Sequence, residues 1–141
     1  MSQHAILLPF LSMLILTFVV WVVLFARRIP MLQKSDADLT HITKAELTSM
    51  SPPHVIAPSE NFLNLFELPV AFYAIVLYLF STSSVDGFYV AAAWIFVAGR
   101  YCHSYIHCAG KAVPIRFGFY LVSSLALWTM IFRAAWQLLV S

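Results

Sequence analysis

Two sets of polar residues interrupt stretches that are otherwise apolar, and the spacing within each set gives it a common face. Glu60, Asn64 and Glu67 recur at i, i+4 and i+7, which aligns them along one side of a helix. Arg100, His103 and His107 share a side of a second helix, with Tyr101 and Tyr105 as an adjacent stripe. Ionisable groups inside membrane segments are costly and face a bundle interior or a wet cavity. If the two segments run in opposite directions, Glu67 and Arg100 meet at comparable depth, and Arg27, Arg28 and Arg116 close the same end. The pattern predicts an Arg-rich pocket bordered by Tyr, His, Asn and Glu. Two other chemistries use the same residues. Glu67 and Arg100 can form a buried ion pair that only fixes helix packing, with His103 donating to a backbone carbonyl. His103 and His107, at i and i+4, also have the spacing of two imidazoles on one metal ion, with Glu67 or Cys108 as a third ligand. Two His at this spacing are a weak signal and no second ligand pair accompanies them, so no metal is expected.

Membrane segments must position these residues. Of 141 residues, 62% are hydrophobic and 10% charged, an apolar excess that calls for lipid as the solvent. No charge falls between Ala5 and Ala26, which is about the length that crosses a hydrocarbon core of roughly 30 Å. A cleaved signal peptide fits this run poorly. Met1 to His4 contain no Lys or Arg, whereas Arg27 and Arg28 follow the apolar stretch, the order of an uncleaved anchor. Further spans are expected over residues 61–80, 88–108 and 117–140, joined by a polar turn from Ser81 to Gly87 and a second turn from Ala109 to Arg116. The fold expected is all-α, a single four-helix membrane domain over residues 1–141.

The connection over residues 29–60 is different in kind. It carries Lys34, Asp36, Asp38, Lys44 and Glu46 together with Pro30, Pro52, Pro53 and Pro58. It reads as a surface loop with one short helix near Thr43 to Met50. Cys102 and Cys108 lie six residues apart, about 600° of helical rotation, so they face different ways and a disulfide between them is not expected.

The distribution of basic residues gives the orientation. Arg27, Arg28, Lys34, Lys44, Lys111 and Arg116 fall on the side of the first and third connections, and only Arg133, with Asp86, falls on the other. By the positive-inside rule the long loop is cytoplasmic and both termini are not. Arg133 reads as a snorkelling side chain, and Arg27 and Arg28 as topology signals and headgroup contacts. The net charge of +2 is too small to argue for a nucleic-acid partner.

The run Asn64-Leu65-Phe66-Glu67-Leu68-Pro69, then Arg100-Tyr101-Cys102-His103-Ser104-Tyr105, then Arg116, resembles the MAPEG family, the membrane-associated proteins in eicosanoid and glutathione metabolism. The pattern is similar to that of microsomal glutathione transferases and their bacterial relatives. The resemblance covers the chain from about Asn61 onward, and the first span by its position and its terminal Arg27-Arg28. It implies a left-handed bundle that assembles as a homotrimer in a bacterial inner membrane, with active sites between subunits on the cytoplasmic side. The small residues Ala91, Ala92, Ala93, Ala98 and Gly99 would permit the close helix approach of such assembly.

Glutathione is the implied co-substrate, and a small hydrophobic electrophile arriving from the lipid is its partner. The resemblance places Arg116 near the sulfur as the catalytic cation, where positive charge raises the thiolate fraction. Arg100 falls among the carboxylate binders and Arg28, or Arg27, at another carboxylate. It places Glu67 at the ammonium, Asn64 at the peptide groups, and His103, Tyr101 and Tyr105 along the cleft. One departure stands out. Glutathione-using members carry an Arg shortly before the span-two Asn, and here Glu60 stands four residues ahead of Asn64. A carboxylate there repels an anionic tripeptide. The alternative expectation is a non-catalytic lipid-binding or scaffold protein of the same fold.

Overall fold

The first apolar run folds as a short 3-10 turn over Gln3–Ile6 followed by α1, Leu7–Gln33. At 1.5 Å per residue its 27 residues span about 40 Å, longer than the hydrocarbon core. The last turns, with Arg27 and Arg28, therefore project beyond the apolar run. The computed structural model describes residues 2–36, 38–110 and 113–140. Lys111, one of the six basic residues on which the orientation rests, lies outside the described residues.

The polar connection contains α2, Lys44–Met50, starting where the sequence places it. Thr43 is its N-cap, and the cap is reciprocal: Thr43 Oγ1 accepts from the Glu46 amide at 3.3 Å, and Glu46 Oε2 accepts from the Thr43 amide at 2.8 Å. These contacts hold the Glu46 carboxyl below the usual glutamate range, the backbone amide of Thr43 contributing most.

The second apolar stretch departs from expectation. A single span over 61–80 gives way to two helices, α3, Pro53–Asn64, and α4, Leu68–Ser81. Pro53 starts α3 at a position where a missing N–H costs nothing. Pro69 ends the continuity, because it offers no amide and its ring would clash with the carbonyl four residues back. The chain breaks over residues 65–67, and Glu67 takes φ −96 and ψ −106, outside the helical region. Glu60 and Asn64 thus remain on one helix, and Glu67 leaves it.

The third and fourth segments form α5, Gly87–Cys108, and α6, Val113–Val140. α6 starts before the expected boundary, and absorbs Pro114 and Arg116 into its first turns. The two helices are antiparallel and in intimate contact, so that a Cβ on Gly99 would lie 3.0 Å from Ser123 Cβ and 3.2 Å from the Phe119 carbonyl oxygen. Gly99 and its buried neighbours Ala92 and Ala93 therefore serve packing within the chain; only Ala91 and Ala98 of the small residues face outward. Phe72 of α4 stacks on Phe96 of α5, with ring centroids 4.4 Å apart, at the centre of the core.

Among the described residues three helical stretches are long and apolar enough to cross a membrane: Gln3–Gln33, Pro53–Ser81 (α3 and α4 together) and Val113–Val140. α5 is less apolar because Arg100, His103, Ser104 and His107 lie on it, and all four are buried. The elements are all helical, with no strand among the described residues. At the end opposite the loop, Arg133, expected to snorkel, is held by an ion pair. Its Nη1 and Nη2 donate to the two Asp86 oxygens at 2.9 and 2.6 Å, and its guanidinium lies 4.6 Å from the ring centres of both Phe88 and Tyr89. Gln3 bonds the Val85 amide and carbonyl through its side-chain amide, which ties the N-terminal turn to this end.

Candidate functional site

The last turns of α5 carry the polar side chains toward the loop end, and the α3–α4 break brings backbone to meet them. Arg100 has 0% exposure. Its Nη2 donates to the Asn64 carbonyl at 2.9 Å, an oxygen that also accepts from the Glu67 amide at 3.4 Å where α3 ends. Its Nε and Nη1 are buried with no protein partner. The Glu67–Arg100 ion pair, one of the alternatives open from the sequence, does not form: Glu67 is exposed at the break, and Arg100 takes the Asn64 backbone instead.

One turn further on, His103 and Arg116 are joined through the backbone, with His103 Nδ1 3.1 Å from the Arg116 carbonyl oxygen. This is the carbonyl contact anticipated for that imidazole. His103 and His107 lie edge to face with centroids 5.6 Å apart. His107 Nε2 reaches Glu60 Oε2 at 3.5 Å, and Glu60 remains 62% exposed. Among the described residues no three His, Cys, Asp or Glu side chains converge as a metal site would require.

A groove of about 290 Å³ runs between α3 and the start of α6. Glu60, His107 and Arg116 border it, with Pro53, Ile56 and Val113 as apolar wall. This groove holds both signs of charge and is reached by His107, the last member of the buried Arg100–His103–His107 row. Arg28 is not part of it. Its Nη2 donates to Ser59 Oγ at 2.8 Å and it borders a separate groove under α2, which shares only Ile56 and Glu60 with the first. Tyr105 is 73% exposed on the outer face of α5, and the Tyr101 hydroxyl donates to the Ser12 carbonyl at 2.9 Å. The structure therefore collects Asn64, Arg100, His103 and Arg116 around one end, and leaves Glu67, Tyr101 and Tyr105 on surfaces facing away from the chain's own core.

Two residues matter more than their sequence signal suggests. Asn61 has 0% exposure, accepts from Ser104 Oγ at 3.2 Å and points its amide at Cys108 Sγ at 3.6 Å. Its place three residues before Asn64, one helical turn, was the available clue. Arg27, expected at the headgroups or at a ligand carboxylate, donates instead to the carbonyls of His54 at 3.0 Å and Cys108 at 2.9 Å. It is a tie between α1, α3 and α5. Both cysteines are free.

With this geometry in view, the family comparison is specific. The model of the MAPEG family matches residues 6–136. No curated protein and no solved structure matches the chain.

Proposed function

This chain belongs to the MAPEG family of integral membrane proteins in eicosanoid and glutathione metabolism, and from that premise we propose that it is a glutathione-dependent transferase or peroxidase acting on a hydrophobic electrophile. The observation that carries the reading is the row of buried polar groups on α5: Arg100 with two nitrogens unused by the protein, His103 on the Arg116 carbonyl, and His107 on the groove that holds Arg116. Buried guanidinium groups in a membrane interior are costly and are retained for what they bind or position.

In this reading α5 also crosses the membrane, as the third of four spans, its polar side sheltered by α3 and α6, and the loop end is cytoplasmic. The outward-facing Glu67, Tyr101, Tyr105, Ala91 and Ala98 meet neighbouring subunits of a homotrimer. Arg116 faces the thiol and favours its thiolate. The thiol proton passes to solvent, sulfur donates its electron pair to the electrophilic carbon, and the leaving group departs with the electrons of the broken bond. With a hydroperoxide, two thiols are oxidised to a disulfide and the peroxide is reduced to alcohol and water. Asn64 and Glu67 take the peptide and ammonium groups of glutathione, and His103 fixes the backbone that carries Arg116. Arg100 is a positioning residue that holds the Asn64 carbonyl and, through it, the break from which Glu67 projects.

The test is conjugation of a chloronitroaromatic by protein purified in detergent, compared with Arg116→Ala. The expected result is glutathione-dependent turnover that falls about 10- to 100-fold in the variant. No glutathione-dependent turnover at millimolar thiol would sink the proposal. A second reading, a non-catalytic lipid-binding or scaffold protein, is favoured by Glu60, whose carboxylate borders the Arg116 groove and repels an anionic tripeptide. Stable oligomers with bound lipid and no measurable turnover would select it.

A further inference from the structure

The groove under α2 has a chemistry of its own. It encloses about 250 Å³ between the end of α1, α2 and α3. Arg28 and Lys44 line it from opposite elements, and neither makes an ion pair among the described residues. Glu46, the carboxylate on the same helix as Lys44, is taken up by the Thr43 cap. Arg28 Nε is buried with no protein partner. On the same groove stand Glu60, largely exposed, and the hydroxyls of Thr48 and Ser51. Those hydroxyls donate to the Lys44 carbonyl at 2.8 Å and the Leu47 carbonyl at 2.6 Å. Their oxygens therefore remain only as acceptors. The groove thus offers two cations for an anion and, beside them, a carboxylate with two acceptor oxygens for a primary ammonium.

An apolar trough continues the same face into the membrane. Trp21, Thr17 and Leu14 precede Arg28 by seven, eleven and fourteen residues, which returns each to nearly the same angular position on α1. With Phe18 and with Phe62 of α3 they line a trough of about 400 Å³. The Thr17 hydroxyl is satisfied by the Met13 carbonyl at 3.1 Å, so the trough wall presents no free donor there. From Arg28 to Leu14 the rise is about 21 Å, the scale of one leaflet with its headgroup region.

We propose that the α1–α3 face binds one phospholipid of the phosphatidylethanolamine type. Its phosphate sits between Arg28 and Lys44, where charge-assisted hydrogen bonds to phosphate are strong. Its primary ammonium faces Glu60 and the Thr48 and Ser51 oxygens, and one acyl chain lies along Trp21, Thr17 and Leu14. A choline headgroup has no N–H to give to Glu60, and a glycerol headgroup has no cation, so the carboxylate selects the ethanolamine lipid. The α2 helix, which the thiol site does not use, is the roof of this headgroup compartment. The proposal does not rest on the thiol reading.

The experiment reconstitutes the full chain in bilayers of phosphatidylcholine doped with brominated phosphatidylethanolamine, phosphatidylcholine or phosphatidylglycerol, and reads Trp21 quenching as wild type minus Trp21→Phe. Wild type is expected to enrich the ethanolamine lipid at Trp21 several-fold over the other two. Lys44→Gln should lower that enrichment several-fold, and Glu60→Gln should abolish the preference for ethanolamine over choline. Equal quenching by all three lipids overturns the proposal, and this outcome needs no variant to fold. Absence of quenching by any lipid also overturns it. Unchanged enrichment in both variants would likewise refute it. Glutathione titrated into the same preparations reads the thiol site separately, so loss of one function leaves the other measurable.

Discussion

Replacing Arg100 with methionine separates a residue kept for function from one kept for stability. The substitution removes one hydrogen bond, Arg100 Nη2 to the Asn64 carbonyl at 2.9 Å, and a bond from a charged donor contributes about 1.5–3 kcal/mol. Against this stand Nε and Nη1, buried without a protein partner, each costing about 1–3 kcal/mol, and the desolvation of the guanidinium itself. Exchanging a buried ionic group for an apolar one of similar volume is commonly neutral or stabilising by about 1–4 kcal/mol. Methionine follows much of the arginine stem and adapts to irregular space. Arg100→Met is therefore expected to unfold at the same or a higher temperature than wild type in detergent, followed by circular dichroism, while glutathione binding falls at least tenfold because the Asn64–Glu67 break loses its anchor. A variant destabilised by more than about 2 kcal/mol that still binds glutathione would refute the reasoning and make Arg100 a packing residue.

Further outcomes follow from other contacts. Gly99→Val would drive a branched side chain into Ser123 Cβ and the Phe119 carbonyl, where even a Cβ lies at 3.0 and 3.2 Å; overpacking of this kind costs about 1–3 kcal/mol, and a lowered thermal midpoint checks it. Asp86 is held below the usual aspartate range by Arg133, first through the side-chain hydrogen bonds. A depressed carboxylate stabilises the fold above its unfolded pKa, and the contribution is lost as pH falls through the lower folded value. Wild type should thus approach Asp86→Asn in stability below the usual aspartate range and exceed it at neutral pH. The Asp86 side chain is 44% exposed, so screening limits the neutral-pH difference to about 1 kcal/mol or less, read from midpoints across a pH series.

The sequence made legible what depends on local pattern. α2 falls where Thr43 and Glu46 announce a reciprocal cap, and the common face of Arg100, His103 and His107 is a direct consequence of helical periodicity. The break at residues 65–67 was less visible because apolar residues continue on both sides of it, although Pro69 carried the physical reason. What could not be read was register between distant helices. The Asp86–Arg133 pair depends on how α5 and α6 align over their whole length, and Gly99 against Ser123 fixes that alignment only in three dimensions. Asn61 was passed over for the same reason: its partners, Ser104 and Cys108, lie on another helix. Arg27 and Arg28 are neighbours in sequence with the same charge, yet one ties three backbones together and the other faces a groove.

Calorimetric titration of the detergent-solubilised protein with glutathione tests the central claim most directly. Saturable binding at millimolar thiol or below, weakened at least tenfold by Arg116→Ala, is the predicted result. No heat of binding from a folded wild-type protein, or binding that Arg116→Ala leaves unchanged, would contradict the assignment of a thiol site to the Arg116 groove.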